Sequence, residues 1–249
     1  MLQLERRQHI MNKLGVQGTV HIERIASDLG VSSMTIRRDL ASLEKEGKLV
    51  RSHGGAILPE RMAQEIPYQT KLSSYKDEKE LIAKKAAEII PANAKVLLDS
   101  GTTNLEIAKL IKTRDDLLIV TNDAKISMEL LNSDSEVIST GGKLQKDIGA
   151  FMGTHVQTLL KQIRVDMVFL GANAIDLNGD ISTPSMEKAL IKKLMLESAT
   201  MKWVVADHSK FNRRAFAHVC HLSTINGIIT DNQLEQDDRK KLEQETNLY

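Results

Sequence analysis

Six short apolar runs, almost free of polar interruptions, follow one another in the C-terminal two thirds of the chain. They occupy residues 95–99, 117–121, 136–140, 167–171, 202–207 and 227–231. Helical patterns lie between most of them. Apolar strands separated by helices are typical of a parallel β-sheet with both faces covered. The sequence therefore predicts an α/β fold with a mainly parallel sheet in this region.

Polar residues follow five of these runs, and we treat them as candidate ligand-binding residues. Ligands of open parallel sheets bind at the carboxyl ends of the strands. After the first run the chain leads directly into a helix, whose free N–H groups and dipole favour an anion. Lysines also suit a phosphate group, whereas Asp and Asn suit hydroxyl groups. The candidates are Asp99, Ser100, Gly101, Thr102, Thr103, Thr121, Asn122, Gly141, Gly142, Lys143, Gly171, Asn173, Asp176, Asp207 and Lys210.

Each of these signals also has an ordinary structural explanation. A Gly-Thr-Thr sequence after a strand is often a tight turn with a helix cap, Gly-Gly is usually a turn, and a lysine after a strand is usually solvated. Five polar strand ends together favour a common site, because one edge of a parallel sheet carries all of them.

The first 58 residues show three helical patterns and then a short segment around a Gly-Gly pair. These patterns cover residues 4–14, 22–29, 34–46 and 49–58. Gly30 suits the C-terminus of the second helix, and Ser32 or Ser33 can cap the third. Two short helices joined by a tight turn indicate a helix-turn-helix, which inserts the start of its second helix into the DNA major groove. The last segment predicts a small β-wing.

The third helix and the wing carry the candidate DNA contacts. Arginine can form a bidentate pair with guanine, and wing residues would contact phosphates or the minor groove. Residues 1–58 hold nine Lys/Arg and six Asp/Glu, a modest basic excess. Periodicity alone leaves an ordinary helical core equally open. The candidates are Ser33, Thr35, Arg37, Arg38, Arg51 and His53.

Two stretches resemble parts of one protein family. Residues 27–58, SDLGVSSMTIRRDLASLEKEGKLVRSHGGAIL, closely resemble the helix-turn-helix of the DeoR family of transcription repressors. Residues 94–231 resemble that family's C-terminal sensor domain, itself similar in fold to ribose-5-phosphate isomerase. Glu187 and Lys192 carry this likeness together with the strand ends, and the resemblance makes both of them effector-binding candidates. The resemblance implies DNA binding through the third helix. It also implies an effector that is a phosphorylated sugar or sugar alcohol.

These observations predict three segments. They are a winged helix-turn-helix at 1–58, a linker at 59–76 and an α/β sensor domain at 77–249, whose first helix, at 77–90, the resemblance implies packs on the sheet. We expect a repressor of a carbohydrate uptake or catabolism operon. It would bind double-stranded operator DNA as a dimer or tetramer under the control of its effector. The single Cys220 and the lack of an 18-residue apolar run predict a cytoplasmic protein without a membrane segment.

Two other functions stay open. A sugar-phosphate isomerase needs a carboxylate to move a proton, which Asp176 or Glu187 could supply, but Asn173 stands where we expect such isomerases to carry an acidic residue. A DNA-binding architectural protein would use the α/β domain only to form oligomers. We expect no catalytic residue and no cofactor. We also expect no metal site, since an extended segment at 218–221 would turn its His and Cys side chains to opposite faces.

Overall fold

The computed structural model describes residues 2–46, 48–52, 54–57, 63 and 65–249. The chain divides into two units, Met1–Arg61 and Met62–Tyr249. In the described part of the chain, no helix has both the length and the apolar character needed to cross a membrane.

The described part of the first unit consists of three helices and three short strands. They are α1 (Gln3–Gln17), β1 (Thr19–His21), α2 (Ile22–Leu29), α3 (Ser33–Lys45), β2 (Val50–Ser52) and β3 (Gly55–Ile57). The strands are antiparallel in the order β1-β3-β2. The predicted helix-turn-helix is formed by α2 and α3, and the wing by β2 and β3. Its core is apolar and includes Ile10, Leu14, Ile25, Ile36, Leu40 and Leu43.

The turn between α2 and α3 is set by two local features. Gly30 ends α2 in the left-handed conformation, with φ +61°, where glycine meets no steric penalty. Of the two candidate serines, Ser32 caps α3, because its Oγ accepts the Thr35 N–H at 3.2 Å. Ser33 is the first residue of the helix.

The second unit alternates strands and helices. In chain order its elements are α4 (Tyr68–Ser73), α5 (Lys76–Glu88), β4 (Lys95–Leu98), α6 (Thr102–Ile111), β5 (Leu118–Thr121), α7 (Ala124–Glu129), β6 (Glu136–Ser139), β7 (Lys143–Gln145), β8 (Ala150–Met152), α8 (Thr154–Gln162), β9 (Val165–Gly171), β10 (Ala174–Ile175), β11 (Asp180–Thr183), α9 (Met186–Ser198), β12 (Ala199–Val205), β13 (Ala217–His221), β14 (Gly227–Ile229), α10 (Gln236–Leu242) and β15 (Asn247–Leu248).

A seven-stranded sheet forms the frame of this unit, in the order β15-β14-β12-β9-β4-β5-β6. Every neighbouring pair in it is parallel. The six predicted apolar runs all form strands of this sheet, which confirms the α/β fold. Strands β5 and β6 lie on one side of β4, and β9 and the later strands lie on the other. The carboxyl ends of β4 and β9 therefore flank the switch point where open α/β sheets bind ligands.

Helices cover both faces of the sheet, because alternate strand residues point to opposite sides. In β4, Val96 and Leu98 belong to a cluster with α5, α6 and α7. Leu97 belongs to a second cluster, with α8 and α9. Helix α5 spans most of the predicted 77–90 helix, and its Ile82 and Ala86 are fully buried against the sheet unit, as the resemblance implied.

Several short elements were not predicted. The hairpin β7-β8 and the antiparallel sheet β10-β11-β13 are separate from the seven-stranded sheet. Their strands have two to five residues, too few for a clear alternating pattern. Helix α4 lies inside the 59–76 stretch predicted as a linker, and six residues do not establish a helical period.

Candidate DNA-binding surface and ligand site

Helix α3 presents two arginines to solvent. Arg37 and Arg38 are exposed, and within the described residues no ion pair joins either of them to a carboxylate. Ser33 and Thr35 are half-buried, and the Thr35 hydroxyl lies 2.9 Å from Ser32 Oγ. Part of the hydrogen-bonding capacity of Thr35 therefore serves the helix cap, which leaves the two arginines as the open groups of this surface.

A buried carboxylate fixes the rotation of α3. Asp39 is only 1% exposed and pairs with Arg6 of α1. Arg7 Nε lies 3.9 Å from Asp39 Oδ1. The hydrogen bond to Asp39 raises the pKa of Arg6. We did not identify Asp39 from the sequence, although a charged residue three positions after the inward-facing Ile36 was a usable signal.

Among the described residues, one hydrogen bond joins the wing to α3. The Arg51 N–H donates to Glu44 Oε1 at 3.0 Å. Arg51 itself is exposed. His53 lies outside the described residues, so its assignment to DNA stays a prediction.

In the second unit, a buried ion pair occupies the switch point of the sheet. The Lys192 ammonium group on α9 pairs with Asp99 Oδ2 at the end of β4 and donates to the Gly171 carbonyl at 2.7 Å. Asp99 Oδ2 also accepts the Gly171 N–H at 3.0 Å, and Oδ1 accepts the Ser100 N–H at 2.8 Å. Four of the sequence candidates are thus in mutual contact, and Asp99 fixes the two loops rather than standing free.

Two further buried side chains hold these loops in place. Asn104 donates to the carbonyls of Asp99 and Phe169 at 2.8 and 3.1 Å, and its Oδ1 has no hydrogen-bond partner among the described residues. Asp123 Oδ2 accepts the Gly101 N–H at 3.1 Å, while Oδ1 caps α7. Burial raises the pKa of Asp123. Neither residue was among our candidates, although Asp123 directly follows the Thr121-Asn122 strand end.

The N-terminus of α6 is open to an anion. Its N-cap is Gly101, with φ +154°, and in the described structure no side chain caps the helix. The first N–H groups of a helix have no partners within it and carry the positive end of its dipole. Thr102 is buried and Thr103 is half-buried beside them, and their role as ligand-binding residues stays a prediction.

A second group of candidates lies at the end of β12. Asp207 is buried, accepts the N–H and the hydroxyl of Ser209, and has Lys210 Nζ 3.4 Å from its Oδ2. Burial lowers the pKa of Lys210, and Asp207 offsets this only in part.

A segment that precedes α5 packs against these groups, and we name residues 65–75 the strap. The strap's Tyr68 is buried, its N–H donates to the Asp147 carbonyl at 3.1 Å, and Lys125 Nζ lies 3.8 Å from the centre of its ring. At the other end of the strap, Lys210 Nζ lies 5.8 Å from the centre of the Tyr75 ring. No pattern in the sequence analysis indicated this role.

Six basic side chains gather around the strap and the strand ends, and we name them the cationic cluster. They are Lys71, Lys79, Lys188, Lys192, Lys210 and Arg213. The pKa of Lys188 is lowered by its burial and, to a smaller extent, by the positive charges of Lys71 and Lys192. Burial lowers the pKa of Lys79 to about 8. Among the described residues, the carboxylates that interact with the cluster are Glu65, Glu78, Glu106, Asp99 and Asp207, which leaves six basic side chains against five carboxylates.

Other sequence candidates make different contacts. Asn173 Oδ1 accepts the Thr183 hydroxyl at 2.9 Å. Asp176 holds the β10–β11 turn through the N–H groups of Asn178 and Asp180 and pairs with Arg214 at 2.8 Å. Burial works to raise the pKa of Asp176, but these partners outweigh it and the pKa is lowered.

The remaining candidates are exposed, lie in a turn or, like Thr121 and Asn122, are buried at the end of β5. Lys143 and Glu187 are exposed. Gly141 and Gly142 form a turn with positive φ, and a Cβ at Gly142 would lie 2.7 Å from the Met152 carbonyl oxygen. Asn122 donates to the Phe151 carbonyl at 3.3 Å. For these residues a role in ligand binding stays a prediction.

Comparison with known families matches both units. Residues 6–62 match the DeoR-like helix-turn-helix domain, and residues 74–232 match the DeoR C-terminal sensor domain. The chain belongs to the DeoR family. It is therefore a DNA-binding transcription regulator with a C-terminal sensor domain, and not an enzyme, as the sequence analysis predicted.

Relatives of this DeoR-family regulator match over nearly their whole length. The HTH-type transcriptional regulator GlpR of Haloferax volcanii is 35% identical over 98% of this chain and 95% of its own. The glycerol-3-phosphate regulon repressor of Escherichia coli K12 is 32% identical over 93% of this chain and 92% of its own. Among solved structures, ribose 5-phosphate isomerase A of Methanocaldococcus jannaschii is 16% identical and covers 55% of each chain with a TM-score of 0.42.

The predicted extended segment at 218–221 falls in β13 of the regulator. His218 is exposed, Cys220 is buried, and the His221 ring lies 2.9 Å from the Asn178 carbonyl oxygen. Burial raises the pKa of the Cys220 thiol to about 11. Within the part of the chain that the structure describes, no group of three or more His, Cys, Asp or Glu residues could hold a metal ion.

Proposed function

We propose that this DeoR-family regulator represses an operon for uptake or catabolism of a carbohydrate. A phosphorylated sugar or sugar alcohol would control its binding to operator DNA. The observation that carries the proposal is the cationic cluster beside the uncapped N-terminus of α6, at the edge of the sheet where α/β folds bind ligands. The name of the Escherichia coli relative, a glycerol-3-phosphate regulon repressor, supports the same ligand class.

In this proposal the phosphate group is bound by lysines of the cluster and by the first N–H groups of α6, with Thr102 and Thr103 supplying hydroxyls. Charge-assisted hydrogen bonds of this kind are stronger than neutral ones. The hydroxyl groups of the effector would bind to polar strand ends, of which Asn122 is one. Asp99 acts indirectly, because all its described contacts position the β4 and β9 loops and Lys192.

Operator DNA would bind along α3 and the wing. Arg37 and Arg38 would read bases or hold phosphates at the start of the helix, and Arg51 would contact the backbone. We propose that the regulator acts in the cytoplasm as a dimer or tetramer, because paired helix-turn-helix modules match repeated half-sites.

The test is a gel-shift titration of the DNA upstream of the gene with a panel of sugar and sugar-alcohol phosphates. At least one should change operator affinity by about 5–150-fold, the usual range of allosteric coupling, and family resemblance favours release. Its unphosphorylated counterpart should have no effect. If no compound of the panel changes operator binding or binds the protein, the sensor half of the proposal is wrong.

Arg37→Ala combined with Arg38→Ala should abolish specific operator binding, since each good bidentate pair with a base contributes about 1–3 kcal/mol of discrimination. Arg164→Ala, an exposed arginine of the second unit, is the matched control. Footprints unchanged by the double substitution would exclude α3 as the recognition helix.

A further inference from the structure

The carboxylate of Glu65 occupies two ammonium groups of the cationic cluster. Its Oε1 accepts from Lys71 Nζ at 2.6 Å, and its Oε2 pairs with Lys188 on α9. The Lys188 side chain is only 10% exposed and that of Glu65 24%, so the contact is largely shielded from water. Burial works to raise the pKa of Glu65, but Lys71 and Lys188 outweigh it and the pKa is lowered. Glu65 is therefore held as an anion.

The charges of this contact do not balance. Two ammonium groups face one carboxylate, so one unit of positive charge is left over. A phosphate monoester carries a charge of about −1.5 to −2 at neutral pH and three acceptor oxygens. It matches the two ammonium groups more closely than a carboxylate does. A phosphate group in the place of the Glu65 carboxylate would balance both ammonium charges.

Glu65 also lies at a particular point of the chain. The first unit ends at Arg61, so Glu65 is only four residues beyond it. The segment is attached to the second unit on either side of Glu65, by the Ala63 N–H, which donates to the Arg214 carbonyl at 2.6 Å, and by buried Tyr68. Loss of the Glu65 contact would leave the Ala63 hydrogen bond and buried Tyr68 as the described attachments on either side of it.

Resting on the proposed function, we propose that Lys71 and Lys188 form the phosphate subsite of the effector and that Glu65 is its built-in competitor. The effector's phosphate group displaces the Glu65 carboxylate and thereby releases Glu65, which lies four residues beyond the DNA-binding unit. No covalent step is involved. The free energy of effector binding is thereby converted into a change in the connection between the two units.

The first experiment measures binding of inorganic phosphate to the full-length protein by isothermal titration calorimetry. Glu65→Gln keeps the size of the side chain and removes the competing charge, so it should bind phosphate about tenfold more tightly than the wild type, a gain of about 1.4 kcal/mol. Lys188→Gln should bind it at least about tenfold more weakly. Glu243→Gln, which removes a carboxylate from an ion pair at the C-terminus of α10, should behave as the wild type.

A second experiment follows hydrogen exchange in the peptide that spans residues 63–68. In the wild type, saturating phosphate should speed exchange there, whereas in Glu65→Gln the exchange should already be fast without phosphate. Circular dichroism of each variant establishes that it is folded. Operator affinity of Glu65→Gln without effector should shift in the same direction as the effector shifts the wild type.

The outcomes separate the two proposals. If wild type and Glu65→Gln bind phosphate equally, or if phosphate leaves exchange at 63–68 unchanged, the competitor role of Glu65 is wrong and the proposed function stands. If neither phosphate nor any sugar phosphate binds the folded wild type, the proposed sensor function fails, and the role of Glu65 fails with it.

Discussion

Replacing Lys192 by Met should destabilise the second unit by about 3 kcal/mol, because it removes one partner of the buried pair with Asp99. Asp99 is 2% exposed and the Lys192 side chain 8%, so the carboxylate would be left in a largely dry site without its counter-charge. Removal of one partner from a buried ion pair costs about 3–5 kcal/mol. The N–H groups of Ser100 and Gly171 still bond Asp99, which favours the lower end of that range.

Urea unfolding, monitored by tryptophan fluorescence, measures this loss of stability. Trp203 is the single tryptophan and is buried in the second unit, so its emission reports on that unit. With an m-value of about 2 kcal/mol/M, a loss of about 3 kcal/mol lowers the midpoint by about 1.5 M. Lys193→Met, an exposed neighbour on α9, is the matched control and should change stability by less than about 0.5 kcal/mol.

A double variant separates charge from packing. Asp99→Asn combined with Lys192→Met removes both charges but keeps a side-chain acceptor for the backbone N–H groups that bond Asp99, so it should be more stable than Lys192→Met alone. A midpoint shift below about 0.5 M for Lys192→Met alone would refute the reasoning. It would mean that Asp99 is adequately stabilised by backbone N–H groups without the ammonium group.

Two further predictions concern the same unit. Gly142→Ala should lower the free energy of unfolding by more than about 1 kcal/mol, because φ is +109° and the new Cβ would lie 2.7 Å from the Met152 carbonyl oxygen. Gly141→Ala should lower it by less, because a Cβ there has free space around it. Equal losses in urea unfolding would contradict the steric argument. The pair of His208 and Asp231 should make stability depend on pH, because the hydrogen bond to Asp231 raises the pKa of His208, and His208, despite burial, lowers that of Asp231. The His208 contribution is complete below about pH 6.5 and is lost as pH rises through its raised pKa, whereas the Asp231 contribution is present above about pH 3.9 and is lost as pH falls through its lowered pKa. His208→Gln should abolish the loss of stability as the pH rises above about 6.5, and an unchanged pH profile would exclude this pair as its source.

Much of the fold was predictable because its signals are local. A parallel strand that is buried on both faces must be apolar along its whole length, and each predicted run coincides with a strand to within a few residues. The recognition helix was predicted for a similar reason, since Ile36, Leu40 and Leu43 repeat at the helical spacing.

The site was predicted less completely, because some of its contacts join residues far apart in the sequence. Glu65 and Lys188 are 123 positions apart, and neither follows a predicted strand. Asp123 was close to the Thr121-Asn122 strand end, yet its role depends on meeting Gly101 of a different loop. Hydrophobic periodicity carries no information on such meetings, whereas the sheet order determines them.

The placement of lysines in the second unit gives a further argument for a ligand. Residues 59–249 carry 25 Lys/Arg and 27 Asp/Glu, so the cationic cluster does not follow from net charge. Burying an ammonium group is costly even when it is paired with a carboxylate, as Lys188 and Lys192 are, yet these two lysines and Lys79 are all buried. A fold under selection for stability alone would exchange such lysines for apolar residues. Their concentration at the carboxyl edge of the sheet is explained if the energy spent on desolvating them is recovered when an anion binds, and this links the cost of the cluster directly to the function that we propose.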